Sequence, residues 1–119
     1  MKRLTSLIAL VWALSGGMMS GLVFANPEGL IQSQGLSPVA PLVADGNTLT
    51  INQMDTRAIL HWQQFNIAPN EVTRFIQPSA QSIALNRIFD ANPSQILGSL
   101  QANGSVILLN PNGVLFGLG

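Results

Sequence analysis

The sequence predicts an all-β chain of short strands and sharp turns, and three observations carry that expectation. After residue 25 no stretch sustains an amphipathic 3.6-residue pattern, whereas several short runs either alternate or are apolar throughout. Turn signals recur at similar intervals. Asp45-Gly46, Ala68-Pro69-Asn70, Ala91-Asn92-Pro93 and Asn112-Gly113 begin 23, 23 and 21 residues apart, and Asp55-Thr56, Ser79-Ala80 and Asn103-Gly104 lie between them at intervals of 24 and 24. Finally, Asn103–Gly119 (NGSVILLNPNGVLFGLG) sets two apolar runs, Val106–Leu109 and Val114–Phe116, on either side of Asn110-Pro111-Asn112-Gly113. A shared period of about that length is what stacked solenoid coils produce. Asn-Gly is equally the strongest two-residue hairpin signal, so solenoid corner and hairpin both stay open from the residues alone.

Residues 1–25 read as a secretory leader. Met1-Lys2-Arg3 is a positive start, Leu7–Leu14 is a dense apolar core, and Val23-Phe24-Ala25 offers small residues at −3 and −1 for cleavage between Ala25 and Asn26. The competing reading is an uncleaved anchor, because Leu4–Ala25 carries no charge. Ser15-Gly16-Gly17 and Ser20-Gly21 dilute its apolarity below what a span of about 20 residues wants, which favours cleavage by signal peptidase over stable membrane insertion.

Residues 26–44 form a lead-in or N-terminal cap. Asn26–Pro41 is rich in Gly, Pro, Ser and Gln and is expected to be irregular and partly extended, with Leu30–Val43 available to cover the first coil. Residues 45–119 carry the strands. Thr48-Leu49-Thr50-Ile51-Asn52 alternates strictly, putting Leu49 and Ile51 on one face. Within Ile59–Ile67, Leu60 and Trp62 share one register and Phe65 and Ile67 the opposite one, which implies a bend near Gln63-Gln64. Val72–Ile76, Ile83–Leu85 and Val106–Leu109 are further strands; the last is apolar on both faces and so expected to be covered on two sides. Pro93–Leu100 has room for one short helical turn. At the last corner, Pro111 presets φ for a turn and Gly113 tolerates a positive φ.

Charge and composition exclude several functions. The residues after Ala25 hold Arg57, Arg74 and Arg87 against Glu28, Asp45, Asp55, Glu71 and Asp90, a formal −2, with no basic patch for nucleic acid. There is no Cys, so a secreted product has no disulfide to hold it and depends on packing and backbone pairing. His61 stands alone beside Trp62 with no second His, so no metal or cofactor is expected, and Trp62 and Phe65 are best read as core. Glu71 and Asp90 are 19 residues apart and could meet on adjacent coils, where strands lie about 4.8 Å apart. With no Tyr and no basic cluster to accompany them, no enzyme is expected. Arg74 and Arg87 are candidates to pair with Glu71 and Asp90.

LLNPNGVLFG, preceded by ALNRI (Ala84–Ile88), NPSQILG (Asn92–Gly98) and QANG (Gln101–Gly104), resembles the N-terminal secretion domain of filamentous haemagglutinin-type exoproteins, the haemagglutination-activity domain of two-partner secretion systems. The likeness runs from about Gly46 to Phe116. It implies a right-handed parallel β-helix, incomplete at the C-terminus because the family's domain is roughly twice as long. It further implies a product secreted or displayed at the cell surface, passing through the periplasm of a Gram-negative-type envelope and a dedicated outer-membrane β-barrel transporter with periplasmic docking domains. In that family an early Asn-Pro motif and a later Asn-Pro-Asn-Gly motif are required for secretion. The later is matched fully by Asn110, Pro111, Asn112 and Gly113, the earlier only by Asn92 and Pro93 before Ser94. Asn86, Asn92, Asn103, Asn110 and Asn112 are read as turn residues first, with recognition by the transporter as the sharper alternative. Low charge and short alternating strands suit strand addition to a transporter edge. The alternatives to a targeting domain are a free-standing secreted adhesin or carbohydrate-binding module and a non-functional remnant.

Overall fold

The computed structural model describes residues 26–117; the expected leader, including Ala25, lies outside the described residues. Ten strands follow in order: β1 Glu28–Gln34, β2 Leu42–Asp45, β3 Thr48–Asn52, β4 Arg57–Gln64, β5 Val72–Ile76, β6 Ile83–Ile88, β7 Ser94–Ile96, β8 Ser99–Ala102, β9 Ser105–Leu109 and β10 Val114–Phe116. The protein is all-β over these residues.

The strands sort into three sheets, ordered β2-β3-β5-β8, β1-β4-β6-β9 and β10-β7, none closed on itself. From β3 onward every pairing is parallel, with Thr48↔Val72↔Ser99 on the first sheet, Arg57↔Ile83↔Ser105 on the second and Ser94↔Val114 on the third. An isolated parallel bridge from Ile67 to Ile96 extends the third ladder back by one pass. The chain thus visits the same three faces in the same order on each pass. Because β9 and β10 are not partners of one another, Asn110–Gly113 is a corner between sheets and not a hairpin turn. Passes spaced 24 and 27 residues on the first sheet and 26 and 22 on the second bracket the turn period read from the sequence.

Alternation decides what is inside. Leu49 and Ile51 of β3, Ala58, Leu60 and Trp62 of β4, Phe75 of β5 and Ala84 and Ile88 of β6 point into one core, which Phe65, Ile67 and Ile96 complete. Each of the Leu, Ile and Phe side chains, fully buried, contributes roughly 1.5–3 kcal/mol, and each Ala methyl less. The register change expected near Gln63-Gln64 is present: β4 ends at Gln64 and the chain turns so that Phe65 meets Trp62 edge-on, with ring centroids 5.8 Å apart.

Asn26–Pro41 is partly extended as expected: β1 occupies seven of its sixteen residues and pairs antiparallel with β4, just as β2 pairs antiparallel with β3. Three expectations require correction. Pro93–Leu100 contains β7 and the start of β8 and no helical turn. Val106–Leu109 is not covered on both faces: β9 is a sheet edge, Val106 and Leu108 are half-buried, and Ile107 and Leu109 point outward and are about half exposed. Asn86 is no turn residue; it lies within β6 and is fully buried.

Candidate functional site: the stacked asparagine corner

The corner between β9 and β10 is built on its own backbone and then fastened to the pass beneath it. The Gly113 N–H donates to the Asn110 carbonyl at 2.9 Å, closing a four-residue turn, and Gly113 has φ +105°, which an L side chain rarely tolerates. The Asn112 N–H donates to Asn110 Oδ1 at 2.9 Å, the two-residue side-chain turn that Asn favours. The other half of the same amide, Asn110 Nδ2, donates to the Asn92 carbonyl at 3.1 Å and to Ser94 Oγ at 3.0 Å. Ser94 N–H in turn donates to the Gly113 carbonyl, and Asn112 Nδ2 to the Asp90 carbonyl at 2.6 Å. The earlier corner is pinned by Asp90, whose Oδ1 accepts the Asn92 N–H.

The six candidate positions therefore converge. Asn92 and Pro93 lie on one pass, and Asn110, Pro111, Asn112 and Gly113 on the next. They divide by exposure: Asn110 is buried with its amide fully engaged, Pro93 is half-buried, and Asn92, Pro111, Asn112 and Gly113 face outward. Asn110 is a fold-holding residue, while the exposed members are what a partner could touch. Ser94 and Asp90 complete the corner; neither stands out in the sequence, because a Ser or Asp near a proline reads as an ordinary turn residue.

A second stack of polar side chains runs through the corners between the other two sheets. Gln77 Nε2 donates to Gln53 Oε1 at 3.0 Å and to the Ser105 carbonyl, and Gln77 Oε1 accepts the Gly104 N–H at 2.7 Å. Asn103 grips the Gln77 backbone from both sides, its Oδ1 accepting the N–H at 2.8 Å and its Nδ2 donating to the carbonyl at 2.7 Å. Gln53 and Gln77 are 24 residues apart, which is the interval of the second turn series, so their stacking was detectable as a repeated Gln two residues before a marked turn. Within the core, Trp62 Nε1–H donates to Asn86 Oδ1 at 2.8 Å.

The remaining polar candidates have structural occupations. Glu71 Oε1 accepts the Ala68 N–H at 3.0 Å. Arg74, a candidate partner of Glu71, donates from Nε to Gln101 Oε1, and the Arg87 guanidinium lies 6.0 Å from the Phe89 ring centroid. His61 packs its ring against Phe89 and sits 3.4 Å from Gln32 Nε2 through Nδ1. No group of three metal-ligating side chains occurs among the described residues, nor any helix long and apolar enough to cross a membrane. A hollow of about 160 Å³ beside Gln32, Ser33, Gln34, Ile59 and His61 is smaller than the ~300–1,000 Å³ of ordinary ligand sites.

A family model described as the TPS secretion domain matches residues 28–119, nearly everything after residue 25. The chain belongs to the TPS secretion domain family. As a two-partner secretion domain it is similar to a Heme/hemopexin-binding protein of Haemophilus influenzae strain Rd, 41% identical over 99 residues, which is 81% of this chain and 11% of that protein. A second Heme/hemopexin-binding protein of Haemophilus influenzae is 43% identical over 67 residues, 56% of this chain and 7% of the relative. Among solved structures, the HMW1 secretion domain from Haemophilus influenzae aligns with a TM-score of 0.64 at 38% identity, covering 75% of this chain and 24% of that one. The chain thus spans about a tenth or less of the curated relatives it matches. Two-partner secretion exoproteins, as a family, cross a Gram-negative envelope with an outer-membrane transporter as partner.

Proposed function

We propose that this chain is the N-terminal secretion-targeting domain of a two-partner exoprotein. In this reading it directs export through its dedicated β-barrel transporter, whose periplasmic domains it meets before it is fully folded, and it then nucleates the winding of a right-handed parallel β-helix outside the cell. The three parallel ladders, visited in fixed rotation, support the β-helix, and nearly all β-crossover connections between parallel strands are right-handed. β1 and β2, antiparallel to β4 and β3, act as the N-terminal cap.

The observation that carries the targeting role is the stacked corner. It joins Asn92-Pro93 to Asn110-Pro111-Asn112-Gly113 through the Asn110 amide while leaving Asn92, Pro111 and Asn112 open to a partner. Its position on successive passes makes it a surface that two stacked coils present, which suits recognition of a partly folded domain. The two relatives' names mention haem and hemopexin; the part of those proteins shared with this chain is the secretion domain, and no haem binding is proposed here.

The test is export from a strain carrying the cognate transporter. The Asn110→Ala/Asn112→Ala chain should disappear from the medium while its periplasmic level persists. Undiminished export of that chain would refute the role of the corner. Asn112→Ala alone separates recognition from shape: a drop in export at unchanged thermal stability marks direct contact, and a drop that follows lost stability marks a corner needed only for the fold.

A further inference from the structure

The first described residue is built into the fold. Asn26 Oδ1 accepts the Thr73 Oγ1 hydroxyl at 2.8 Å, and Asn26 Nδ2 donates to the Asn47 carbonyl at 3.2 Å. That carbonyl also accepts the Val72 N–H, so the Asn26 side chain is fastened where the β2–β3 turn meets the start of β5. Thr73 is fully buried and Pro27, the next residue, is buried as well. Such anchoring is not what a flexible leader junction needs.

Two carboxylates flank this anchor. Glu28, two residues on, opens β1, and Glu71 is two residues before Thr73, within the turn whose Ala68 N–H it accepts. Two residues of extended chain reach about 7 Å at most, so the Asn26 backbone nitrogen is close to the start of β1 and to the segment entering β5. Glu28 is exposed over much of its surface, yet packing around its carboxyl, and then the negative charge of Glu71, push its pKa up to about 7. The other elements packed on this spot bring neutral groups: Gln64 of β4, paired with Glu28, Gln63 beside Gly29, and the Asn47 carbonyl. Among the described residues, the place holds negative charge and no cation is seated at it.

We propose that cutting the chain before Asn26 creates an α-ammonium group seated between the carboxylates of Glu28 and Glu71, which fastens β1 onto the stacked strands. The inference rests on the reading that the leader is removed after Ala25, and is independent of the transporter. Hydrolysis of the Ala25–Asn26 peptide bond consumes one water, leaves a carboxylate on Ala25 and frees an amine on Asn26, which takes up a proton near neutral pH. Before the cut the same nitrogen is a neutral amide. Leader removal therefore supplies the missing cation, and the N-terminal cap tightens only on the processed chain.

The experiment expresses the full chain with its own leader in a Gram-negative host and reads the N-terminus of the periplasmic product by intact mass. The Asn26 α-amine is then titrated by NMR with isotopic labelling at low salt. We expect a chain beginning at Asn26 whose amine is at least tenfold less acidic than an ordinary α-amine, of pKa about 7.7–8.0. Glu28→Gln/Glu71→Gln should return it to the ordinary range, and 1 M salt should do so partly in the unaltered chain, which serves if the double variant fails to fold. A different mass overturns the leader reading and the seat together. The expected mass with an ordinary titration, or a shift insensitive to both the double variant and salt, overturns the seat alone.

Discussion

Removing the Asn86 amide should weaken this fold more than removing any exposed corner amide, because of what surrounds it. Asn86 is fully buried; its Oδ1 takes the Trp62 indole N–H, and its Nδ2 reaches the Ala84 and Ile107 carbonyls at 3.3 Å. Asn86→Leu keeps the branched outline, with bulkier methyl groups, but strands that indole donor and the Ile107 carbonyl, at a cost of about 1–3 kcal/mol for a buried unsatisfied group. Urea unfolding followed by tryptophan fluorescence checks this: in a chain starting at Asn26, which omits Trp12, Trp62 is the one Trp reporter. Gln77→Leu should cost a comparable amount, since it releases Gln53, Gly104 and Ser105 at once. Asn112→Ala, by contrast, loses one bond at an exposed site and should shift stability by about 1 kcal/mol or less.

At the level of elements, corners and the first strand carry the testable consequences. A Cβ on Gly104 would meet the Ser82 carbonyl at 2.7 Å and Gln77 Oε1 at 2.9 Å, both already engaged with neighbouring N–H groups. Gly104→Ala should therefore force the β8–β9 corner off its stack and lower stability by about 1–3 kcal/mol, as overpacking does, read from the urea midpoint. β1 gives a pH signature. While the Asn26 nitrogen is an amide, by a retained leader or by acetylation, Glu28 holds its proton up to about 7 in the folded chain, against 4.5 otherwise. Between those values the folded state binds more protons than the unfolded one, so stability is fully present below about pH 4.5 and declines as pH rises through about 7. Solvent still reaches Glu28, which reduces the size of the decline. Urea midpoints of the acetylated chain at pH 5 and pH 7.5 should show it, and Glu28→Gln should flatten it.

Across the whole molecule, protection is set by how many neighbours a strand has. β3, β4, β5 and β6 are hydrogen-bonded on both sides, whereas β8, β9 and β10 are edges among the described residues, with Ile107, Leu109, Leu115 and Phe116 exposed on or beside them. Edges of that kind, apolar and with unpaired backbone groups, invite further strands. Amide exchange should be slowest in β3 to β6 and fastest in β10. Ile107→Lys should leave the core intact and reduce self-association in light scattering by introducing an outward charge on β9.

Much of this was legible in the residues because local rules suffice for it. Strict alternation named Leu49 and Ile51 as inward, the register change at Gln63-Gln64 separated Leu60 and Trp62 from Phe65 and Ile67, and Asn110-Pro111-Asn112-Gly113 closes on itself by bonds spanning two and three residues. The turn interval told how much chain one pass consumes. What tertiary structure alone decided is everything that depends on which pass lies against which. Hairpin or corner at Gly113, the burial of Asn86, the grip of Asn110 on Ser94 and the seat of Asn26 against Thr73 all join residues 16 to 47 positions apart. The reason is that parallel strands exchange their hydrogen bonds with a neighbour a full coil away, so a side chain's partner, and with it the side chain's role, is fixed by stacking and not by the residues on either side of it.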